Sequence, residues 1–196
     1  MTSENVIFPT GISGLDNILG GGLDRPSLAA IIGPPGAGKT VLASNIVFNA
    51  ARLGMKAIVI TSFSEGVEQY IRHMRSFGFF DAALLNQSIQ LFTLESLLTT
   101  ADTSPALTLT RAIRTIGANI VLLDGFQGTS PLLSSDHSSR EMLSTLAIQI
   151  RYLNTTLVTT IAGEVRSPSF HNEMTVADMA IGLNFTIEGR RHRRLL

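Results

Sequence analysis

Eight consecutive residues, Gly33-Pro34-Pro35-Gly36-Ala37-Gly38-Lys39-Thr40, fit the pattern G-x-x-x-x-G-K-[ST]. The chemistry open to them is phosphate binding. A phosphate needs a concave ring of backbone N–H groups, and side chains would block it, so glycines recur. Pro34 and Pro35 have no N–H to give, and the donors are expected at Gly36, Ala37, Gly38, Lys39, Thr40 and Val41. Gly33 and Pro35 complete the loop around the bound group. Lys39 supplies a mobile charge to the outer phosphates, and the Thr40 hydroxyl is placed to ligate Mg²⁺. Lysines occur only at positions 39 and 56, against thirteen arginines, so few other residues could replace Lys39.

Two carboxylates could complete the chemistry. Asp124 ends the apolar run Asn119–Leu123, and a strand ending in Asp carries a carboxylate to the sheet edge where a phosphate loop also lies. There it can hold Mg²⁺, usually through a water. Taken alone, such an Asp is more often a turn residue or a helix cap. Glu65 follows the apolar run Lys56–Thr61 and would face the terminal phosphate as a base or water-orienting group. The plainer reading is a first-turn acid complementing a helix dipole, and the base role is favoured over it; Glu68, three residues on, is the next candidate base.

These residues need a scaffold that brings strand ends together. Ser27–Ile32, Lys56–Thr61, Asn119–Leu123 and Thr156–Ile161 are short apolar runs, and Ile89–Thr93 is a shorter one. Between them lie helical spacings. One begins at Thr40 and ends at Gly54, and a second carries Val67, Tyr70, Ile71, Met74 and Phe77 and ends at Gly78. A third opens at Ser104-Pro105 and ends at Gly117, and a fourth starts near Asp136 and carries Met142, Leu143, Leu146, Ala147 and Ile150. Ile181–Ile187 and Arg193–Leu196 read as a hairpin around Glu188-Gly189-Arg190. Apolar strands alternating with helices predict an α/β fold with a mostly parallel sheet flanked by helices, and ligands in such sheets bind at the carboxyl ends of the strands.

Composition narrows the class. At 196 residues, one domain spanning 1–196 is expected. With 44% hydrophobic and 15% charged residues, intrinsic disorder is excluded. Fifteen basic and fifteen acidic residues cancel, so no global attraction to nucleic acid or anionic lipid is indicated. Without cysteine there is no disulfide framework, thiolate metal site or Cys nucleophile. No signal-peptide pattern opens the chain and no apolar run reaches the ~18 residues of a membrane span, so a soluble cytoplasmic domain is expected.

The stretch Thr10-Gly11-Ile12-Ser13-Gly14-Leu15-Asp16 with Leu19-Gly20-Gly21-Gly22-Leu23, leading into the phosphate loop, resembles the KaiC-like branch of the RecA superfamily of P-loop NTPases. Glu68-Gln69, Ile71-Arg72 and Ser76-Phe77-Gly78 are similar to that family's E-Q-x-I-R-x-x-x-S-F-G segment, and Ile120–Asp124 to its Walker B strand. The resemblance implies a RecA-like ATPase core, ATP with Mg²⁺ bound at a subunit boundary, and often a hexameric ring. Two departures stand out. The family's paired acids, as in S-L-E-E, fall here on Ser62-Phe63-Ser64-Glu65, so one acid is missing. The family's K-x-R-G-type segment lies beyond Leu196, which suggests a truncated form that associates weakly.

The resemblance and the motifs together imply a slow, Mg²⁺-dependent ATPase module of a signalling ATPase. The alternative is a nucleotide-binding regulator with little hydrolysis, favoured by the lost acid. A DNA-dependent recombinase is disfavoured by zero net charge and the lack of a basic loop. Two weaker features complete the reading. Arg190, Arg191, Arg193 and Arg194 suit a solvated edge strand. Thr175 resembles a phosphorylated position of the clock kinase but is more simply a helix N-cap.

Overall fold

The apolar runs become the inner strands of a parallel sheet. The structure, a computed structural model, describes residues 6–61, 66–98, 104–125, 136–163, 176–188 and 191–195. In chain order the elements are β1 (Val6–Phe8), α1 (Ser13–Ile18), β2 (Leu23–Arg25), β3 (Leu28–Gly33), α2 (Lys39–Arg52), β4 (Ala57–Thr61) and α3 (Val67–Met74). A 3-10 turn (Ala82–Leu84) leads to β5 (Ile89–Thr93), α4 (Leu94–Leu98), α5 (Pro105–Ile116) and β6 (Ile120–Leu123). The chain continues through α6 (Asp136–Tyr152), β7 (Thr156–Ala162), β8 (Met179–Gly182), β9 (Asn184–Glu188) and β10 (Arg191–Leu195).

Six strands form one sheet in the order β5-β4-β6-β7-β3-β8, and every pairing in it is parallel. All residues of β3, β4 and β6 are buried, as expected for strands covered on both faces. Alternate side chains go to opposite layers. Ala29, Ile31, Ala57, Val59, Ile120, Leu122 and Val158 pack with α2 and α3. Ile58, Ile60, Val121, Leu123 and Leu157 pack with α5 and α6. This period-two division decides which strand-end residues reach the loop before α2.

Three features differ from the expectations of the sequence. The Ile181–Ile187 run is not one strand. Its first part lies in β8, which adds in parallel to β3, and its second part lies in β9, which pairs with β10 as a separate two-stranded hairpin. The break falls at Leu183, whose amide still bonds Ile32 at 2.7 Å. The helix expected to end at Gly78 stops at Met74 and continues as turns. The N-terminal motif builds structure of its own. Thr10 donates to the Asp16 carboxylate through its amide at 2.7 Å and its hydroxyl at 2.6 Å, which ties the entry segment to α1. The Gly20-Gly21-Gly22 run then returns to β2, which pairs with β1. Gly22 has φ +144°, and a Cβ there would sit 1.9 Å from the Phe8 carbonyl oxygen, so no other residue fits. Among the described residues, no helix is long and apolar enough to cross a membrane.

Candidate functional site

The site grows from the junction of β3 and α2. The strand ends at Gly33, and Gly38 in the left-handed region (φ 96°) turns the chain into α2. The first helical bond of the ladder runs from Leu42 to the Gly38 carbonyl at 2.9 Å. The amides of Lys39, Thr40 and Val41 therefore precede the ladder and have no acceptor within the helix. They lie at the positive end of a 14-residue helix, and with Gly36 and Gly38 these residues line one cavity, the position expected of phosphate-binding donors. One expected donor is engaged differently. The Ala37 amide closes the loop's own turn onto the Pro34 carbonyl at 3.2 Å.

Lys39 folds back over this loop. Its ammonium donates to the carbonyls of Gly33 at 2.8 Å and Pro34 at 3.0 Å. Burial lowers its pKa from the usual lysine value, and the charge of Asp124 opposes that shift. Carbonyls are weak partners for an ammonium compared with phosphate oxygens, so the side chain is held beside the cradle and free to exchange acceptors.

The Thr40 hydroxyl donates to both oxygens of Asp124, 3.0 Å from each. β6 delivers Asp124 to the sheet edge, where it is only 6% exposed. A second hydroxyl holds it from the neighbouring strand, because Thr160 near the end of β7 donates to Asp124 Oδ1 at 2.5 Å. Thr160 in turn accepts the Gly125 amide at 2.7 Å, which fixes the turn after β6. Burial pushes the Asp124 carboxyl above the usual carboxylate range. The hydrogen bonds from Thr160 and Thr40, the Lys39 charge and the Gly125 amide counter this. A hydroxyl and a carboxylate are hard oxygen donors of the kind Mg²⁺ takes, and a carboxylate driven toward neutrality by burial gains from a cation. The residues fit a divalent ion.

Sequence reasoning missed Thr160. A threonine inside an apolar strand reads as a β-branched strand former, and only the strand order places it beside Asp124. It also missed one wall of the cleft. A cavity of about 280 Å³ is lined by Gly36, Gly38, Lys39, Thr40, Val41, His73 and Phe77. His73 comes from α3 and Phe77 from the turn after it, with their rings edge-on at a centroid distance of 5.7 Å. The two lie four residues apart, the spacing of neighbours on one helical face, so the pair was open to sequence reasoning, but only the fold sets that face against the loop before α2. Glu68 is exposed in the first turn of α3. Glu65, Thr175 and Arg190 lie outside the described residues.

Known proteins resemble this arrangement along nearly the whole chain. The family model described as "ATPase: KaiC" matches residues 8–196. The circadian clock oscillator protein KaiC of Thermostichus vulcanus is 27% identical over 199 residues, covering 95% of this chain and 38% of that protein. The DNA repair and recombination protein RadB of Methanosphaera stadtmanae is 46% identical over 56 residues, 29% of this chain and 24% of that protein. The chain thus spans less than half the length of these curated relatives. A KaiC-like protein of the archaeon Pyrococcus horikoshii has the same fold. Its crystal structure superposes with a TM-score of 0.81 at 20% identity, covering 97% of this chain and 86% of that one.

Proposed function

The chain belongs to the KaiC family of ATPases, and from that premise we propose that it binds Mg·ATP at the β3–α2 loop and hydrolyses it slowly. The observation that carries this is the convergence of the Thr40 hydroxyl, the Asp124 carboxylate and the Lys39 ammonium at one helix N-terminus. In this reading the amides of Gly36, Gly38, Lys39, Thr40 and Val41 receive the phosphates, with Gly33, Pro35 and Ala37 shaping the loop. Lys39 exchanges its two carbonyl partners for outer phosphate oxygens. Thr40 and Asp124 hold Mg²⁺, which neutralises charge on the phosphate oxygens when bound. Thr160 favours the ionised form of Asp124 against the effect of burial and aims the carboxylate. His73 and Phe77 offer the nucleoside a ring face across the cavity. Glu65 accepts a proton from the attacking water.

A second reading, a regulator that holds nucleotide with little turnover, is favoured by Ser64 in place of one acid of the family's pair. A role in DNA repair and recombination, as the name of the RadB relative has it, has less support, since the formal net charge is zero. Steady-state phosphate release, measured beside displacement of a fluorescent ATP analogue, separates these. Mg²⁺-dependent displacement with slow release is the expected result. Displacement without release supports the regulator, and no displacement by ATP at millimolar concentration removes both.

A further inference from the structure

β4 ends in a polar residue that the fold does not use. Its other residues, Ala57, Ile58, Val59 and Ile60, are apolar, and Thr61 is buried with 0% exposure. The Thr61 hydroxyl has no hydrogen-bond partner among the described residues. An orphaned buried hydroxyl destabilises the fold, and valine would fill the same space in a strand without that cost. Native proteins keep few such groups, and those they keep tend to serve catalysis or to hold a water or an ion.

The register says where this hydroxyl stands. Ile60 pairs with Leu123 and Leu123 with Thr159. The next residues along three adjacent strands are therefore Thr61, Asp124 and Thr160. All three belong to the face carrying Ala57, Val59, Ile120, Leu122 and Val158, which is the face covered by α2. The row reads hydroxyl, carboxylate, hydroxyl. Thr160 is committed to Asp124 and to the Gly125 amide. Thr61 has no such commitment, and it lies on the flank of Asp124 away from Thr160.

We propose that the Thr61 hydroxyl is a positioning group for a water in the hydration shell of the cation held by Thr40 and Asp124. Mg²⁺ dehydrates reluctantly and keeps several waters when few protein ligands are offered. Those waters are strong donors and need acceptors on the protein side. Thr61 supplies one at the sheet edge, and the hydroxyl finds its missing partner when the nucleotide and metal bind. This rests on the Mg·ATP reading of the site.

The test is calorimetric titration of ATP into the full chain, with Mg²⁺ and with EDTA, for the parent, Thr61→Val and Thr61→Ser. Each nucleotide-free protein is also melted. The parent should bind more tightly with Mg²⁺. Thr61→Val should lose about tenfold of that metal-dependent gain, leave the EDTA affinity unchanged, and melt no lower than the parent. Thr61→Ser should restore the gain. A valine variant that keeps the full gain overturns the proposal. So does one that weakens binding equally in EDTA, or one that melts well below the parent, since the hydroxyl would then serve the fold. A parent with no metal-dependent gain overturns the Mg·ATP reading and this inference together, and that result is read from the parent alone.

Discussion

Replacing Thr160 by valine keeps the shape of the side chain and removes its oxygen. The change breaks two contacts, the 2.5 Å bond to Asp124 Oδ1 and the 2.7 Å bond from the Gly125 amide. The first is a hydrogen bond to a charged group, worth about 1.5–3 kcal/mol. The second leaves a backbone donor unpaired, at about 1–3 kcal/mol if no water replaces the hydroxyl. These contributions share one group and do not fully add, so a loss of about 3 kcal/mol is expected. For a chain of this size that corresponds to a melting temperature lower by roughly 6–12 °C. The loss should also depend on pH. Burial already raises the Asp124 pKa, and the Thr160 bond opposes that rise. A carboxyl whose folded pKa exceeds its unfolded value of about 3.9 makes the native state the better proton binder, so stability falls as pH rises from the unfolded value through the folded one. Without Thr160 the folded pKa rises further, and the gap between variant and parent should widen from pH 5 to pH 8. Urea denaturation of the nucleotide-free protein at both pH values measures this. A difference under 1 kcal/mol at pH 8, or a gap that narrows with pH, would refute the assignment of Thr160 as the group that holds Asp124 charged.

The other substitutions probe separate parts of the cleft. Asp124→Asn keeps a similar shape and removes the buried charge, so the nucleotide-free protein should melt at or above the parent temperature at neutral pH while the Mg²⁺-dependent part of ATP affinity disappears; a strongly lowered melting temperature would contradict this. Glu65→Gln should leave ATP binding intact and reduce phosphate release by tenfold or more, and equal release from both proteins would move the role to Glu68. Phe77→Ala should weaken ATP by about 1–2 kcal/mol, the scale of one aromatic–base contact. It should leave inorganic triphosphate binding unchanged, and equal losses for both ligands would show that the ring supports the loop instead.

The parts of this molecule written in local sequence were legible. The turn between β3 and α2 is marked by glycines at fixed spacing, and the inner strands announce themselves as unbroken apolar runs because both faces are covered. Asp124 was readable because it ends such a run. What depends on pairing between distant segments was not. β1 is three residues long and acquires its structure only by lying against β2, so no periodicity marks it. α1 has six residues and no side-chain cap at its start, and its hold comes from Thr10 bonding Asp16. The Ile181–Ile187 run looks continuous because nothing in its composition records that Met179–Gly182 joins β3 while Asn184–Glu188 turns away. Thr61 and Thr160 were hidden for the same reason. Their place beside Asp124 follows from the order β4-β6-β7, which is a property of the folded sheet.

The central claim is that Lys39 and the loop around it bind the phosphates of ATP, and calorimetric titration of Mg·ATP into the parent and Lys39→Ala tests it most directly. Among the described residues the Lys39 ammonium donates only to the loop carbonyls of Gly33 and Pro34, so the variant should fold with a melting temperature close to that of the parent. Loss of one charged partner to phosphate costs about 1.5–3 kcal/mol, which predicts ATP affinity lower by roughly 10- to 150-fold. A folded Lys39→Ala protein that binds Mg·ATP as tightly as the parent would contradict the account.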